Sequence, residues 1–427
     1  MQETRENRKH GNGERIQRIV LNWRRRRMQR SEMVEGKREK EVLPLDVVIN
    51  ILKRVPVKSL MRFKCVSKEW LKLLERSPFF TKQQLEYSTG NNALLLLQRV
   101  HRQPQPDPFS TCLIGPHHHH LIDESHLSDI VSPAAKILAS CNGLLCLRHT
   151  TALSILNPAT RQIRQVPIEN LSAFNYVGFG FSPLADDYKI VRISMCIFAP
   201  DNQVVVLDNV RVERVEVYSL ASGFWKEIDA AKLQPLCIVS SSVAITGSIF
   251  WLATKTSDSD TDSEFVVSFD IGRDLFTLVN GPPFQHSSSH PYSNNVLAVH
   301  NDKLAMFRHY IVGAFESCWF DLWVLEDLHG DYNNNTCDGV GGSWVKMYSV
   351  GPFSRIVYPL SLWGDEIVCR EELSGQENDF RGVETLLALF NPLTKELKNL
   401  PAHRDEFFYV PFTYSQSLVP VPNLLQH

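Results

Sequence analysis

A chain of 427 residues, 43% of them apolar, is long enough for two or more folded units and has an ordinary globular composition. Its net charge of −2 is uneven: residues 1–41 hold 13 Lys/Arg and 7 Asp/Glu, or +6, leaving 32 basic and 40 acidic residues, or −8, for the rest. No apolar run reaches the ~18 residues of a membrane span and the first residues lack the apolar core of a secretory signal. Nine cysteines without CxxC pairs argue against zinc and against a disulfide framework, and for a reducing nuclear or cytoplasmic setting.

Residues 1–41 read as a basic, disordered arm, since they contain little beyond Arg, Glu, Asn, Gln and Gly. The run Arg24 to Arg27 fits either a nuclear-localisation or nucleic-acid tail or a solvated extension.

Residues 42–86 have helical periodicity. Pro44 suits a helix start, and Val48, Ile51, Leu52 and Val55 follow at i, i+3, i+4 and i+7. Pro56 stops that helix. Lys58 to Cys65 makes a second with Leu60, Met61 and Phe63, and Ser67 caps a third carrying Trp70, Leu71 and Leu74. Ser77-Pro78 is expected to end it. Three short helices cannot bury apolar residues on so many faces. They pack on the rest of the chain or offer a surface to a partner. The lysines and arginines between them read as solvated rims, because the stacking aromatics and Gly-rich turns of a nucleic-acid face are missing.

The segment LPLDVVINILKRVPVKSLMRFKCVSKEWLKLLERSPFF resembles an F-box. Its carrying elements are Leu43-Pro44, the run Val55 to Leu60, Phe63, Cys65 to Lys68, Trp70 and Ser77-Pro78. The resemblance implies docking on a Skp-family adaptor of a cullin-RING ubiquitin ligase. The implied contacts are Leu43, Pro44, Val48, Ile51, Leu52, Val57, Leu60, Phe63, Val66 and Trp70. Trp70 is equally suited to a core role, holding the third helix on the first.

From residue 93 to 420 the chain turns to short apolar runs between turn residues, rich in Val, Ile, Phe, Trp and Tyr, as strands prefer. Two elements recur. A tight turn followed by a strand appears as NGLLCL from Asn142, TGSIFWL from Thr246, NDKLAMF from Asn301 and GDEIVC from Gly364. A strand, turn and strand ending at Pro appears as ILNPATRQIRQVP from Ile155 and LFNPLTKELKNLP from Leu389. GFGFSPLADDYKIVRI reads as an extra hairpin, and 330–342 as an insertion. A period near 50 with about four strands per unit predicts kelch-like propeller blades. Five fall within 137–401, and ALLLLQRV with the tail FFYVPFTYSQSLVP completes a sixth and closes the ring. The expected fold is thus α+β multidomain: a three-helix F-box, then a six-bladed kelch-like β-propeller. A β-sandwich is the alternative.

The same segments resemble the F-box-associated domain of plant F-box proteins, on Ala139 to Cys146, Asn157 to Arg161, Gly178 to Pro183 with Asp186 to Lys189, and Tyr414 to Pro420. This resemblance implies binding of a protein substrate and leaves its identity open.

Several chemical look-alikes fail. Adjacent ligands in His117 to His120 do not converge on one metal. Asp258, Asp260 and Asp262 lack the Gly and Glu of an EF-hand, with Ser263 and Phe269 in those places. Gly178-x-Gly180 lacks the third glycine of a dinucleotide site. Asp186 and Asp187 suit a turn, and Cys65, Cys141 and Cys146 suit small core positions. No catalytic constellation, metal or cofactor is expected. The reading is a non-catalytic substrate-recognition subunit of an SCF-type ligase. The alternatives are an F-box adaptor or inhibitor acting outside a ligase and a propeller hydrolase with a helical appendage.

Overall fold

The computed structural model describes residues 43–422 apart from 92, 102–109, 116–120, 125–126, 128–129, 133–134, 173, 198–209, 246, 256–262, 284–294, 313–316, 330–339, 373–384 and 401–406. The basic arm, the four histidines and the Asp258 to Asp262 loop lie outside the described residues. The chain divides into two compact units, residues 1–48 and 49–427. Of the first, only 43–48 is described. It holds the start of helix α1, Leu45–Leu52, where the Pro44 carbonyl accepts from the Val47 and Val48 amides at 3.1 and 3.2 Å.

The second unit carries three further helices. Pro56 precedes α2, Val57–Phe63, and its carbonyl accepts from the Ser59 and Leu60 amides at 2.9 and 3.1 Å. Ser67 caps α3, Lys68–Arg76, by accepting from the Trp70 amide at 3.2 Å. A fourth helix, α4, spans Pro78–Asn91. Ser77-Pro78 ends α3 as expected and also starts this further helix, which was not expected. Ser77 Oγ accepts from the Phe80 amide at 3.2 Å and Pro78 occupies the first helical position. That pair starts a helix as readily as it stops one. Leu52, Val57, Leu60, Leu74 and Phe80 are buried among these helices, with Phe63 and Trp70 edge-to-face at 5.3 Å.

The β region is a six-bladed propeller. Blades two to six occupy residues 136–166, 175–228, 237–280, 296–353 and 357–399. Blade one combines the strands Leu94–His101, Ser110–Ile114 and Leu121–Glu124 with the last strand, Phe407–Tyr414. Leu94 pairs with Tyr414 and His101 with Phe407, antiparallel, so the ring is closed by its two ends. The innermost strands meet in cyclic order: Phe407–Tyr414, Lys136–Cys141, Asn175–Ser182, Val243–Ile245, Val296–His300 and Val357–Trp363. Radial repetition leaves only short, protected inner edges.

The repeated sequence elements are the turns of the blades. Between first and second strands, Asn142-Gly143 and Asn301-Asp302 both take positive φ, 52° and 78°, 48° and 59°. Those values suit a two-residue hairpin whose twist matches the strands. Between third and fourth strands, a side chain caps the turn and the fifth residue takes positive φ. Asn157 Oδ1 accepts from the Ala159 and Thr160 amides, with Arg161 at 61°. Asp270 and Asp274, and Asn391 and Lys395, repeat the arrangement. The hairpin at 175–191 is the first half of blade three, so no extra hairpin exists.

Apolar clusters fill the crevices between blades. Leu96, Leu145 and Leu156 lie between blades one and two, Trp251 and Phe269 between three and four, and Leu95, Trp363 and Val368 between six and one. The glycines of GFGF belong to this packing. A Cβ on Gly178 would lie 2.4 Å from the Trp251 ring, and one on Gly180 would lie 2.6 Å from Ile271 Cδ1. Blade five is longer than the others, with 13-residue strands Ser317–His329 and Gly341–Phe353. Beside the insertion, Val340 bridges Val279 in parallel, and Trp344 Nε1 donates to the Asn280 carbonyl at 2.8 Å, clasping the outer edge of blade four.

Candidate functional site

The helical residues singled out in the sequence divide by burial. Leu43 is 59% exposed and Ile51 53%, and Pro44 is exposed. Val48, Phe63, Val66 and Trp70 are half-buried. Leu52, Val57 and Leu60, also expected at a docking surface, are 2%, 1% and 0% exposed. They are covered in the free chain: periodicity fixes which residues share a face, not whether a core or a partner covers it. They present almost no area to a partner in the free chain. Two residues not among the contacts implied by the resemblance, Leu45 at 62% and Val47 at 42%, are also exposed on α1. Large apolar side chains exposed in succession, as at Leu43, Leu45 and Val47, mark an interaction surface more often than an isolated one does.

The last helix hydrogen-bonds to the ring through Gln84. Gln84, 3% exposed, donates from Nε2 to the Gln416 carbonyl at 3.0 Å and accepts at Oε1 from the Leu418 amide at 3.2 Å. Its amide thus fills both partners of an extended segment, as a neighbouring strand would. That segment, residues 415–422, leaves the closing strand and crosses blade two. Ser417 Oγ donates to the Asn142 carbonyl at 2.8 Å. Asn157 Nδ2 donates to the carbonyls of Ser417 and Val419 at 3.1 and 2.7 Å. Leu85 packs on the apolar cluster that contains Val419 and Val421. Helix α4 is therefore fixed to the ring by the segment that follows its closing strand.

The contacts also orient the ring. In an antiparallel blade the first and third turns lie at one end and the remaining connections at the other. Asn142 and Asn157 belong to the first and third turns of blade two, so α4 docks at the tight-turn end. At the far end, among the described residues, blades four to six carry buried charge. Arg308 pairs with Glu264 at 3.0 Å, and Asp321 accepts from Lys346 at 2.9 Å and Ser349 at 2.7 Å. His309 lies against Tyr358 at 4.9 Å, and the Arg370 guanidinium sits 4.5 Å over the same ring. Burial pushes His309 down to about 4, with the Arg370 charge adding to the effect, while the Val357 backbone opposes it.

Of the cysteines expected at core positions, Cys65 is exposed, whereas Cys141 and Cys146 belong to the fold. Burial pushes the thiols of Cys141 and Cys146 up to about 12, which leaves them protonated and weakly nucleophilic. Asp187 accepts from Ser219 Oγ at 2.6 Å and from the Ala221 amide at 2.9 Å, joining the two hairpins of blade three as a turn-fixing residue.

Two family models match the chain: an F-box domain over residues 41–82 and an F-box associated beta propeller domain over 97–332. The F-box/WD-40 repeat-containing protein 1 of Arabidopsis thaliana is 24% identical over 414 residues, 92% of this chain and 92% of the relative. The F-box protein At1g30790 of Arabidopsis thaliana is 25% identical over 354 residues, 79% of this chain and 85% of the relative. Among solved structures, the WD40 domain of SCAP from fission yeast aligns at TM-score 0.28 with 11% identity, covering 72% of this chain and 83% of that one.

Proposed function

The chain belongs to the F-box associated beta propeller family, and from that premise we propose that it is the substrate-recognition subunit of an SCF-type cullin-RING ubiquitin ligase. In this reading the helices dock on a Skp-family adaptor through Leu43, Pro44, Ile51 and the half-buried Val48, Phe63, Val66 and Trp70. Leu52, Val57 and Leu60 support that face from beneath. The ring holds a protein to be ubiquitinated at the end opposite α4. The observation that supports the reading is the run of exposed apolar side chains at Leu43, Leu45, Val47 and Ile51, within the segment that matches an F-box. The chain does no bond chemistry. It raises the effective concentration of substrate lysines near a ubiquitin-loaded enzyme. We place this work in the nucleus or cytoplasm, which suits the free state of the described cysteines.

The test is affinity purification of the tagged chain beside its Leu43→Ala, Pro44→Ala variant. Wild type should bring down the adaptor and a cullin. The variant should lose both and retain other proteins, whose levels rise in cells lacking the chain. Absence of adaptor and cullin from the wild-type complexes overturns the proposal.

A further inference from the structure

The charge of the chain is divided between its modules. Residues 42–92 hold nine Lys/Arg and four Asp/Glu, or +5, while residues 93–427 hold 23 and 36, or −13. On helix α3 the excess falls into one line. Lys68, Lys72 and Arg76 follow at i, i+4 and i+8, so they share one face, rising about 6 Å from one to the next. All three are exposed, and none meets a carboxylate among the described residues. Glu75, which lies beside them, is taken by Lys64 at 3.2 Å, and Glu69 has a contact of its own. Leu71, 37% exposed, borders the line. Trp70 turns to the other side of the helix, where it meets Phe63 edge-to-face.

This arrangement works against the helix that carries it. Like charges four residues apart destabilise a helix, and Lys68 sits in the first turn, at the positive end of the helix dipole. By contrast, Lys189 and Arg308 of the blades are paired, with Asp274 at 2.7 Å and Glu264 at 3.0 Å. An arrangement that costs stability with no gain inside the chain points to a gain outside it. The missing counter-charges fit one kind of partner. An acidic helix repeats carboxylates at the same i, i+4, i+8 spacing. An apolar residue of that helix can cover Leu71, as flanking charges accompany an apolar seam in paired helices. Nucleic acid fits less well. The one aromatic ring of α3, Trp70, turns away from the cations and offers no base a stacking platform. The field of a ring carrying −13 also repels an extended polyanion more than a short acidic helix.

We propose that the face of α3 formed by Lys68, Lys72 and Arg76 docks an acidic amphipathic helix of a partner protein. Carboxylates of that helix pair with the three cations, and its apolar side chain covers Leu71. None of these residues belongs to the adaptor face proposed above. Binding needs neither adaptor nor substrate, so the inference stands apart from the receptor role.

The test follows a fluorescein-labelled peptide by anisotropy as the full chain is added. The peptide, of about 20 residues so that it forms a helix, carries Glu at every fourth position, Leu three residues after each and Ala elsewhere. A scrambled peptide of the same composition and a labelled DNA duplex are the comparisons. The ordered peptide should bind saturably at micromolar concentration, and about tenfold more weakly when salt is raised from about 0.05 to 0.3 M. The scrambled peptide and the duplex should each bind about tenfold more weakly than the ordered one. Lys72→Glu should weaken the ordered peptide about tenfold or more. It should melt no lower than wild type, because it places an acid between Lys68 and Arg76. Leu71→Ala should weaken the peptide about threefold and leave the salt dependence unchanged. Lys82→Gln, an exposed change on α4, should alter nothing. The arm at 1–41 is present in every variant, so the difference between wild type and Lys72→Glu belongs to α3. No saturable binding of the ordered peptide overturns the proposal. Equal affinity for the scrambled peptide overturns it as unspecific charge attraction, and equal or tighter binding of the duplex as a polyanion contact. Peptide affinity unchanged in Lys72→Glu overturns it too.

Discussion

Replacing Gln84 by Leu keeps the volume of the side chain and removes both of its hydrogen bonds. The Leu418 amide and the Gln416 carbonyl then lose their partner in a buried setting. An unmet buried polar group costs about 1–3 kcal/mol, so two cost roughly 2–4 kcal/mol after the segment relaxes. This cost falls on the joint. Blade strands such as Leu144–Arg148 keep their pairings on both sides. Hydrogen exchange followed by mass spectrometry should therefore show amides of α4 and of residues 416–418 exchanging about thirtyfold faster or more. Strands of blades three to five should be unchanged. Gln83→Ala, whose partner Glu86 is exposed, serves as the control and should change little. Unchanged protection at Leu418, or equal loosening of the whole ring, would refute Gln84 as the fastening point.

Other elements give independent tests. Deletion from Phe407 onward removes the partner of Leu94–His101 and the innermost strand of blade one, so exchange should rise around the ring and not only near the cut; loss confined to blade one would contradict closure. His309 has a folded pKa of about 4 against 6.5 unfolded. It therefore contributes stability that is full above pH 6.5 and is lost as pH falls towards 4, up to about 3 kcal/mol. His309→Gln should flatten that part of the melting-temperature profile, and an identical slope in the variant would assign the loss elsewhere. Gly178→Ala places a methyl 2.4 Å from the Trp251 ring and should lower stability by about 1–3 kcal/mol in a denaturant titration.

Much of this architecture was legible because it rests on local chemistry. Asn-Gly and Asn-Asp hairpins, capped five-residue turns and alternating apolar runs each need particular side chains at fixed offsets, so the blades could be counted from turns alone. Ring closure followed from counting five blades and finding unpaired strands at both ends. Helix α4 was hidden because Ser77-Pro78 reads equally as a stop and a start. The burial of Val57 and Leu60 was hidden because a short amphipathic helix has the same pattern against a core as against a partner. The Gln84 joint left no local signal: its partners lie 332 and 334 residues away, and glutamine is common on exposed helices. Gly178 and Gly180 were read correctly as strand residues, but their reason, a tryptophan of the next blade, is a tertiary contact.

Adaptor docking in this reading depends on the exposed helix face. Truncation of buried interface anchors typically costs about 2 kcal/mol or more, near thirtyfold in affinity. Binding of purified Skp-family adaptor to the full chain, measured by calorimetry beside a thermal melt, compares wild type with Leu43→Ala, Pro44→Ala. Both side chains are exposed in the free chain, so the melt should not move while adaptor affinity falls at least about thirtyfold. A folded double variant that binds the adaptor as tightly as wild type would contradict the docking surface assigned here.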